Sequence, residues 1–272
     1  DKWKSPGYFS KTITELWQLA RGLRKERFDL SVDLSGLMRS GLITWAAGAR
    51  YKLGFVESDE GSPFFYTHKV TGGMDNHAID RYLTIVKAMG YTGDEIHYPM
   101  APIDRNPPVV EGLPENYAVI APSAGKEANR WPAERFGALA SRLPQPSVVI
   151  SSKADALVAE EVVNNSNGKA ISLAGRTGLI ELMALIANAR FFISNDTGPM
   201  HIAAAFGVPV FAIFGPANPV RTGPYGDIHT IIREQLDCAP CYRWQPCEGW
   251  ECMENLSVDK VFSIIAQGIE KQ

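Results

Sequence analysis

The stretch FFISNDTGPMHIAAAFGVPVFAIFG, residues 191–215, decides the fold predicted for this chain. It begins with an aromatic and β-branched run and ends, over 208–214, with a second one, and both are typical of buried strands. Between them lie the turn residues Asn195-Asp196-Thr197-Gly198, then Pro199 at a first helical position, and an alanine-rich helix that Gly207 ends. Such a helix start binds anions, because free backbone N–H groups and the positive end of the helix dipole face the ligand. We therefore predict that this turn holds the diphosphate of a nucleotide.

Strands and helices alternate on both sides of this stretch. The predicted strands are 28–33, 51–55, 117–121, 147–151, 170–173 and 228–233, and the predicted helices are 11–27, 37–47, 76–89, 132–143, 153–165, 178–188 and 257–269. Residues 61–73 are predicted to be an irregular loop. The alternation indicates an α/β protein with doubly wound parallel sheets, in which ligands bind beyond the carboxyl ends of the strands.

Five prolines between Pro99 and Pro114 indicate a linker. We therefore predict a partial N-terminal domain over 1–105, a C-terminal nucleotide-binding domain over 106–256, and a terminal helix in 257–272 that packs back on the N-terminal domain. The chain begins at Asp1 and lacks an opening strand. We accordingly expect a segment of the natural protein to precede it, and the N-terminal domain to be incomplete.

Composition restricts the classes of protein that fit. A net charge of −3, with 45% hydrophobic and 21% charged residues, is typical of a soluble globular protein and gives no indication of nucleic-acid binding. The apolar run 202–217 is short for a membrane span and is interrupted by glycine and proline. Without a signal peptide or a spanning helix, we expect a cytoplasmic protein.

All four cysteines lie close together in the sequence, in the pattern C-x2-C-x5-C-x4-C formed by Cys238, Cys241, Cys247 and Cys252. This spacing suits a tetrahedral zinc ion or an iron–sulfur cluster. A loop held by disulfides and a set of reduced, partly buried thiols are the alternatives. The sequence leaves these three open.

The loops that follow the other C-terminal strands carry polar residues at the same predicted edge of the sheet. After strand 117–121 come Ser123, Lys126 and Arg130, a hydroxyl and two cations suited to phosphate. Asp155 follows the next strand and suits ribose hydroxyls, although such a residue also serves to stabilise its own helix. His201, one turn into the helix after Pro199, is either a ligand or a structural histidine.

With these motifs placed, the chain resembles glycosyltransferase family 9, the bacterial lipopolysaccharide heptosyltransferases, and heptosyltransferase I more than II. The resemblance extends from Phe28 to the C-terminus, and its most specific parts are Asn195–Ala203 (NDTGPMHIA), Ser123–Pro132, Phe28–Ser40 (FDLSVDLSGLMRS) and Asn76–Arg81 (NHAIDR). It implies the GT-B fold, two Rossmann-like domains facing across a cleft. It also implies ADP-L-glycero-D-manno-heptose as donor and a Kdo-containing lipid A core at the membrane surface as acceptor.

The resemblance also implies roles for individual residues. Thr197 and Gly198 match the family's diphosphate-binding loop, and Asp196 matches its contact to the heptose. His201 matches a histidine on the same helix, Ser123 a phosphate-binding hydroxyl, Asp155 a ribose-binding carboxylate, Thr177 a residue beside the adenine, and Arg81 a basic residue near the acceptor's anionic groups. No cofactor and no metal are expected, because the ADP-sugar is a substrate.

Two positions depart from the family pattern. Asn129 stands where the family usually has a lysine, two residues before Trp131-Pro132, so we expect Lys126 or Arg130 to supply the cation. The family's catalytic aspartate lies in a loop after the first N-terminal strand, which we expect in the preceding segment; Asp33 does not match it.

The implied reaction is an inverting transfer in which a carboxylate base deprotonates the acceptor hydroxyl and ADP departs. Two alternatives remain open: a nucleotide-binding module without catalysis in this chain, and a nucleotide-sugar 2-epimerase. The location implied for the transferase is the cytoplasm, with peripheral attachment to the inner face of the inner membrane.

Overall fold

The computed structural model describes residues 9–93, 95–100, 102–103 and 113–271. The chain divides into two compact units, Asp1–Glu95 and Ile96–Gln272. The linker predicted between Pro99 and Pro114 lies mostly outside the described residues, and the division falls after Glu95, earlier than the predicted boundary.

The first unit is built on a parallel sheet of three strands in the order β1-β2-β3. Its elements are α1 (Phe9–Lys25), β1 (Leu30–Asp33), α2 (Met38–Ala46), β2 (Tyr51–Phe55), β3 (His68–Val70) and α3 (Ala78–Ala88). Leu53 and Phe55 on β2 pack with Ile85 on α3 to form its small core.

Strand β3 corrects the prediction of an irregular loop over 61–73. Leu53 is aligned with His68 and Phe55 with Val70, so the middle strand β2 supplies the backbone hydrogen bonds that make the segment a strand. A three-residue strand is too short to show the period of two by which strands are predicted.

The second unit contains a parallel sheet of six strands in the order β6-β5-β4-β7-β8-β9. Its elements are β4 (Ala118–Ala121), α4 (Ala133–Arg142), β5 (Ser147–Val149), α5 (Ala156–Asn164), β6 (Ala170–Ser172), α6 (Leu179–Ala187), β7 (Phe191–Asn195), α7 (Gly198–Ala205), β8 (Val210–Ile213), α8 (Pro219–Thr222), β9 (Thr230–Ile232), α9 (Glu251–Glu254) and α10 (Val258–Glu270). Strands β4, β7 and β8 are fully buried, and apolar cores cover both faces of the sheet.

The strand order places a ligand site. The chain runs outward from β4 in one direction and outward from β7 in the other, so the order reverses between these two neighbouring strands. In open parallel sheets, the crevice at the carboxyl ends of the strands where the order reverses is where ligands bind. The loops after β4 and β7, which contain Ser123–Arg130 and Asp196–Gly198, both begin at that crevice.

The last helix, α10, belongs to the second unit. Its buried residues Val261 and Ile265 lie in the same core as Trp131 and Phe211. Its packing on the N-terminal unit stays a prediction. Within the described part of the chain, no helix combines the length and the apolar character that a membrane span needs.

Candidate nucleotide-sugar site

A cavity of about 410 Å³ lies at the carboxyl ends of the central strands of the second unit. Its volume is in the range of small-molecule sites. Five of the residues predicted from the sequence line it, and they come from four separate loops: Ser123, Arg130, Asp155, Thr177 and Thr197. Parallel strands bring these loops together because all their carboxyl ends lie at one edge.

Asn195 fixes the distance between the loops after β4 and β7. Its side chain is fully buried; Nδ2 donates to the carbonyl oxygen of Pro122 at 2.6 Å, and Oδ1 accepts from the backbone N–H of Trp131 at 3.0 Å. The sequence prediction placed Asn195 in the turn, but it is the last residue of β7. Its amide thus satisfies two buried backbone groups that would otherwise lack partners.

Arg130 and Asp155 form an ion pair in the wall of the cavity. The Arg130 guanidinium lies 3.2 Å from the Asp155 carboxylate, and its Nε donates to the carbonyl oxygen of Ala124 at 2.8 Å. The second carboxylate oxygen of Asp155 accepts from the Ser152 hydroxyl at 3.1 Å. Both charged groups are about two-thirds or more buried, so the pair orients Arg130 within the wall of the cavity.

Ser123 lines this cavity and has a buried, unused hydrogen-bonding group. Among the described residues, its buried hydroxyl oxygen has no hydrogen-bond partner, although the residue lines the cavity wall. Buried polar atoms are rarely left unpaired. A hydroxyl in this position suits a phosphate oxygen.

The N-terminus of α7 points its first backbone N–H groups toward the same region. Thr197 is the extended N-cap residue, and its hydroxyl makes no capping hydrogen bond. Gly198 is the first helical residue and Pro199, which lacks an N–H, is the second. His201 is exposed one turn further along the helix.

Beside the cavity, Asp196 and Asn129 form a second polar group. Asn129 Nδ2 donates to Asp196 Oδ2 at 3.1 Å, while Asn129 is only 4% exposed and its Oδ1 has no partner among the described residues. Burial raises the pKa of the Asp196 carboxyl above its ordinary value, and the positive charge of Lys126 opposes that rise. A carboxylate and an amide are thus in direct contact here, and the charge of an ammonium group acts on the carboxylate.

Arg81 lies in the first unit. Its guanidinium carbon is 4.2 Å from the centre of the Phe55 ring, and its Nε has no hydrogen-bond partner among the described residues. The pKa of the neighbouring Glu57 is lowered. Burial alone would raise it, but backbone hydrogen bonds from Gly72 and Gly73 and the charge of Arg81 together outweigh that effect. In the same unit, Asp33 accepts hydrogen bonds from two backbone N–H groups and from the Tyr66 hydroxyl.

The four cysteines line one cavity of about 220 Å³. All four are reduced; Cys238, Cys241 and Cys247 are exposed, and Cys252 is buried. Within the described residues, no set of three or more histidine, cysteine, aspartate or glutamate side chains is arranged to hold a metal ion. The four thiols form no disulfide in this structure, and whether they hold a metal stays a question for experiment.

Sequence reasoning missed two kinds of residue near the site. Ile150 and Leu182 form apolar walls of the cavity; Ile150 directly follows β5 and could have been found by its place at a strand end.

Trp244 and Trp250 contact the loop after β4 from the cysteine-containing segment. Trp244 O accepts from the backbone N–H of Ala128, and Trp250 Nε1 donates to the Ala128 carbonyl, both at 3.1 Å. No local pattern indicates these contacts.

Comparison with known proteins agrees with this architecture. The sequence profile "Glycosyltransferase family 9 (heptosyltransferase)" matches residues 16–250. Two similar curated proteins are the lipopolysaccharide core heptosyltransferase OpsX of Haemophilus influenzae, 23% identical over 232 residues, and lipopolysaccharide heptosyltransferase 1 of Pseudomonas aeruginosa, 27% identical over 259 residues. The matches cover 82% and 86% of this chain and 66% and 71% of those proteins.

A solved structure, the Escherichia coli heptosyltransferase WaaC with ADP, has a similar fold. Its TM-score is 0.73 at 19% identity, and the match covers 98% of this chain and 81% of that one. At this identity the likeness concerns the fold, which is the predicted α/β arrangement of parallel sheets. Since the family profile matches most of the sequence, the chain belongs to glycosyltransferase family 9, the heptosyltransferases.

Proposed function

We propose that the protein transfers a heptose from ADP-L-glycero-D-manno-heptose to the Kdo-containing inner core of lipopolysaccharide. The observation that carries this proposal is the convergence of Ser123, Arg130, Asp155, Thr177 and Thr197 on one cavity. Together with family membership, this arrangement of hydroxyls, a cation and a carboxylate suits a nucleoside diphosphate. The heptose and the acceptor are inferred from the relatives' activities.

Within this proposal, each part of the donor has a place. The adenine lies beside Thr177, the ribose hydroxyls meet Asp155, and the diphosphate meets the Ser123 hydroxyl and the N-terminus of α7. The heptose lies against Asp196 and Asn129. Negative charge develops on ADP as it leaves, and backbone N–H groups and cations already aimed at it stabilise that charge more than they stabilise the bound donor.

The proposed transfer inverts the anomeric carbon and uses neither a metal nor a resident cofactor. A carboxylate base accepts the proton of the acceptor hydroxyl as the new glycosidic bond forms. Asp196 is assigned to the donor sugar, and Asp33 is buried and already accepts three hydrogen bonds, so neither is proposed as this base. Arg81 is proposed to meet anionic groups of the acceptor, at the cytoplasmic face of the inner membrane.

The donor assignment can be tested on this chain by calorimetry. We expect ADP to bind and UDP to bind at least tenfold more weakly. Preference for UDP would instead favour the nucleotide-sugar 2-epimerase, and failure to bind either nucleotide would remove the basis of the proposal.

Catalysis is tested on the natural gene product with ADP-heptose and a Kdo-containing lipid A acceptor, by mass spectrometry of the product. Arg130→Ala and Asp196→Ala should each remove most activity, since one lost electrostatic contact raises such a barrier by about 3 kcal/mol. Glu160→Gln, at an exposed position on α5, serves as the control. Near-normal turnover in both alanine variants would contradict the site assignment, and ADP binding without transfer by the unaltered protein would favour a binding module.

A further inference from the structure

Two cations, Arg130 and Lys126, lie in the loop after β4, and the structure distinguishes their surroundings. Arg130 is held by the Asp155 carboxylate and by the carbonyl oxygen of Ala124. Lys126 has its ammonium nitrogen 5.2 Å from the centre of the Trp244 ring, within the distance at which a ring face attracts a cation. The charge of Lys126 also acts on the Asp196 carboxyl. The backbone N–H of Asn129 donates to the Lys126 carbonyl oxygen at 3.1 Å, and the Asn129 side chain donates to Asp196, so Lys126 is linked to Asp196 through Asn129.

Trp244 belongs to the cysteine-containing segment, residues 238–252. In addition to the contact between Trp244 and Lys126, hydrogen bonds to Ala128 join this segment to the loop after β4. Both backbone polar groups of Ala128 are used: its N–H donates to Trp244 O, and its carbonyl accepts from Trp250 Nε1. The segment is anchored in turn where the N–H groups of Cys241 and Tyr242 donate to the Pro216 carbonyl at 3.0 and 2.9 Å. The backbone of Trp244 is thus held beside the loop that contains Lys126.

The exposure of Trp244 argues against a purely structural role. The residue is 67% exposed, so its ring is not part of either apolar core. A large aromatic side chain at the surface gains little from burial. The contact of its ring with the Lys126 ammonium instead indicates a role for this side chain.

We propose that Trp244 is a positioning residue that holds the Lys126 ammonium beside Asp196, where it meets the diphosphate of the donor. This inference rests on the proposed function and deepens it. A free lysine side chain samples many rotamers, and a ring face that restricts it reduces the entropy lost when the phosphate binds. The cysteine-containing segment would thereby support the donor loop from outside the cavity.

The test is a titration of the chain with ADP at low ionic strength. We expect Lys126→Ala to weaken ADP binding about tenfold and Trp244→Ala about fivefold, whereas Trp244→Phe, which keeps a ring face, stays within about twofold of the unaltered protein. The double variant Trp244→Ala/Lys126→Ala should bind as Lys126→Ala does, because the ring acts through the lysine. Trp17→Ala, which removes an indole of similar exposure from the first unit, should leave ADP binding unchanged.

Two results would overturn the inference while leaving the proposed function intact: ADP binding by Trp244→Ala equal to that of the unaltered protein, or independent, additive losses in the double variant. Equal losses in Trp244→Ala and Trp244→Phe would also contradict it. If the unaltered chain does not bind ADP, the proposed function fails and this inference fails with it. Thermal unfolding of each variant separates a loss of binding from a loss of folding.

Discussion

The guanidinium of Arg130 lies 3.2 Å from the carboxylate of Asp155, so the cation predicted for phosphate and the carboxylate predicted for ribose are paired with each other in this structure. Ion pairs with partial exposure contribute little to stability, on the order of 0–1 kcal/mol. Under the proposed function the pair serves ligand binding: a ribose hydroxyl that donates to Asp155 would meet a carboxylate already oriented by Arg130 and by Ser152.

Replacement of this carboxylate should remove discrimination at the ribose. We expect the unaltered chain to bind ADP about tenfold more tightly than 2′-deoxy-ADP, because a hydrogen bond to a charged group contributes about 1.5 kcal/mol or more. Asp155→Asn should bind both nucleotides with similar, weaker affinity in calorimetric titrations. Glu160→Gln, on helix α5 that follows Asp155, is the control. A preference for ADP that survives in Asp155→Asn would mean that another residue binds the ribose.

Asn195→Ala should destabilise the second unit. The change leaves the buried N–H of Trp131 and the carbonyl of Pro122 without the side chain that pairs with them. A buried polar group left without a partner costs about 1–3 kcal/mol, so we expect a loss of about 3 kcal/mol in the free energy of unfolding, measured with urea. Asn164→Ala, at an exposed position, should change it by less than about 0.5 kcal/mol. Equal stabilities of the two variants would contradict the bridging role of Asn195.

The raised pKa of Asp196 predicts a pH-dependent effect on stability. An acid whose pKa is raised by burial binds its proton more tightly in the folded protein than in the unfolded chain. The contribution of the Asp196 carboxyl to the stability of the folded protein therefore becomes less favourable as the pH rises from the unfolded-state pKa to the folded-state pKa. Asp196→Asn, whose amide oxygen can still accept from Asn129, should be more stable than the unaltered protein at pH 7.

The gain from Asp196→Asn should shrink as the pH is lowered towards the unfolded-state pKa of an aspartate, about 4. Urea unfolding at several pH values measures the difference. Asp227→Asn, at an exposed carboxylate, is the comparison. A gain that is constant with pH would show that it comes from something other than the Asp196 charge.

Cys252 should be the least reactive of the four thiols. Burial, together with the charges of the other three cysteines, raises the pKa of Cys252 to about 11. Because alkylation requires the thiolate, Cys252 should react at pH 8 about a hundredfold more slowly than an ordinary thiol whose pKa is about 8.5. Mass spectrometry after brief iodoacetamide treatment measures this, with urea-unfolded protein as the control. If all four cysteines were protected from alkylation and a chelator removed that protection, the result would contradict this expectation and favour a bound metal.

Local sequence was sufficient for most of the second unit. The alternation of apolar strands with amphipathic helices predicted β4 to β9 and the main helices within a few residues, because burial on both faces produces continuous apolar runs. The turn at Asp196–Pro199 was likewise indicated by cap and helix-start residues. Strand β3 was missed because its three residues are strand only through their pairing with β2.

The sequence predicted which strand ends form the candidate site, but it did not predict which side chains contact each other there. The topology explains why Ser123, Asp155, Thr177 and Thr197 lie at one cavity, since loops after parallel strands meet at one edge. Which of Lys126 and Arg130 is paired with Asp155 depends on how the loop after β4 turns. That turn is set by Asn195 and by the cysteine-containing segment, both distant in sequence.

By itself, the sequence determined the fold class, the alternation of strands and helices, and the helix start at Asp196-Thr197-Gly198-Pro199, because each depends on the chemistry of neighbouring residues. The tertiary structure decided the rest: the pairing of Arg130 with Asp155, the contact of Asn129 with Asp196, and the position of Lys126 over Trp244. These relations depend on distances between loops, and packing of the whole sheet sets those distances.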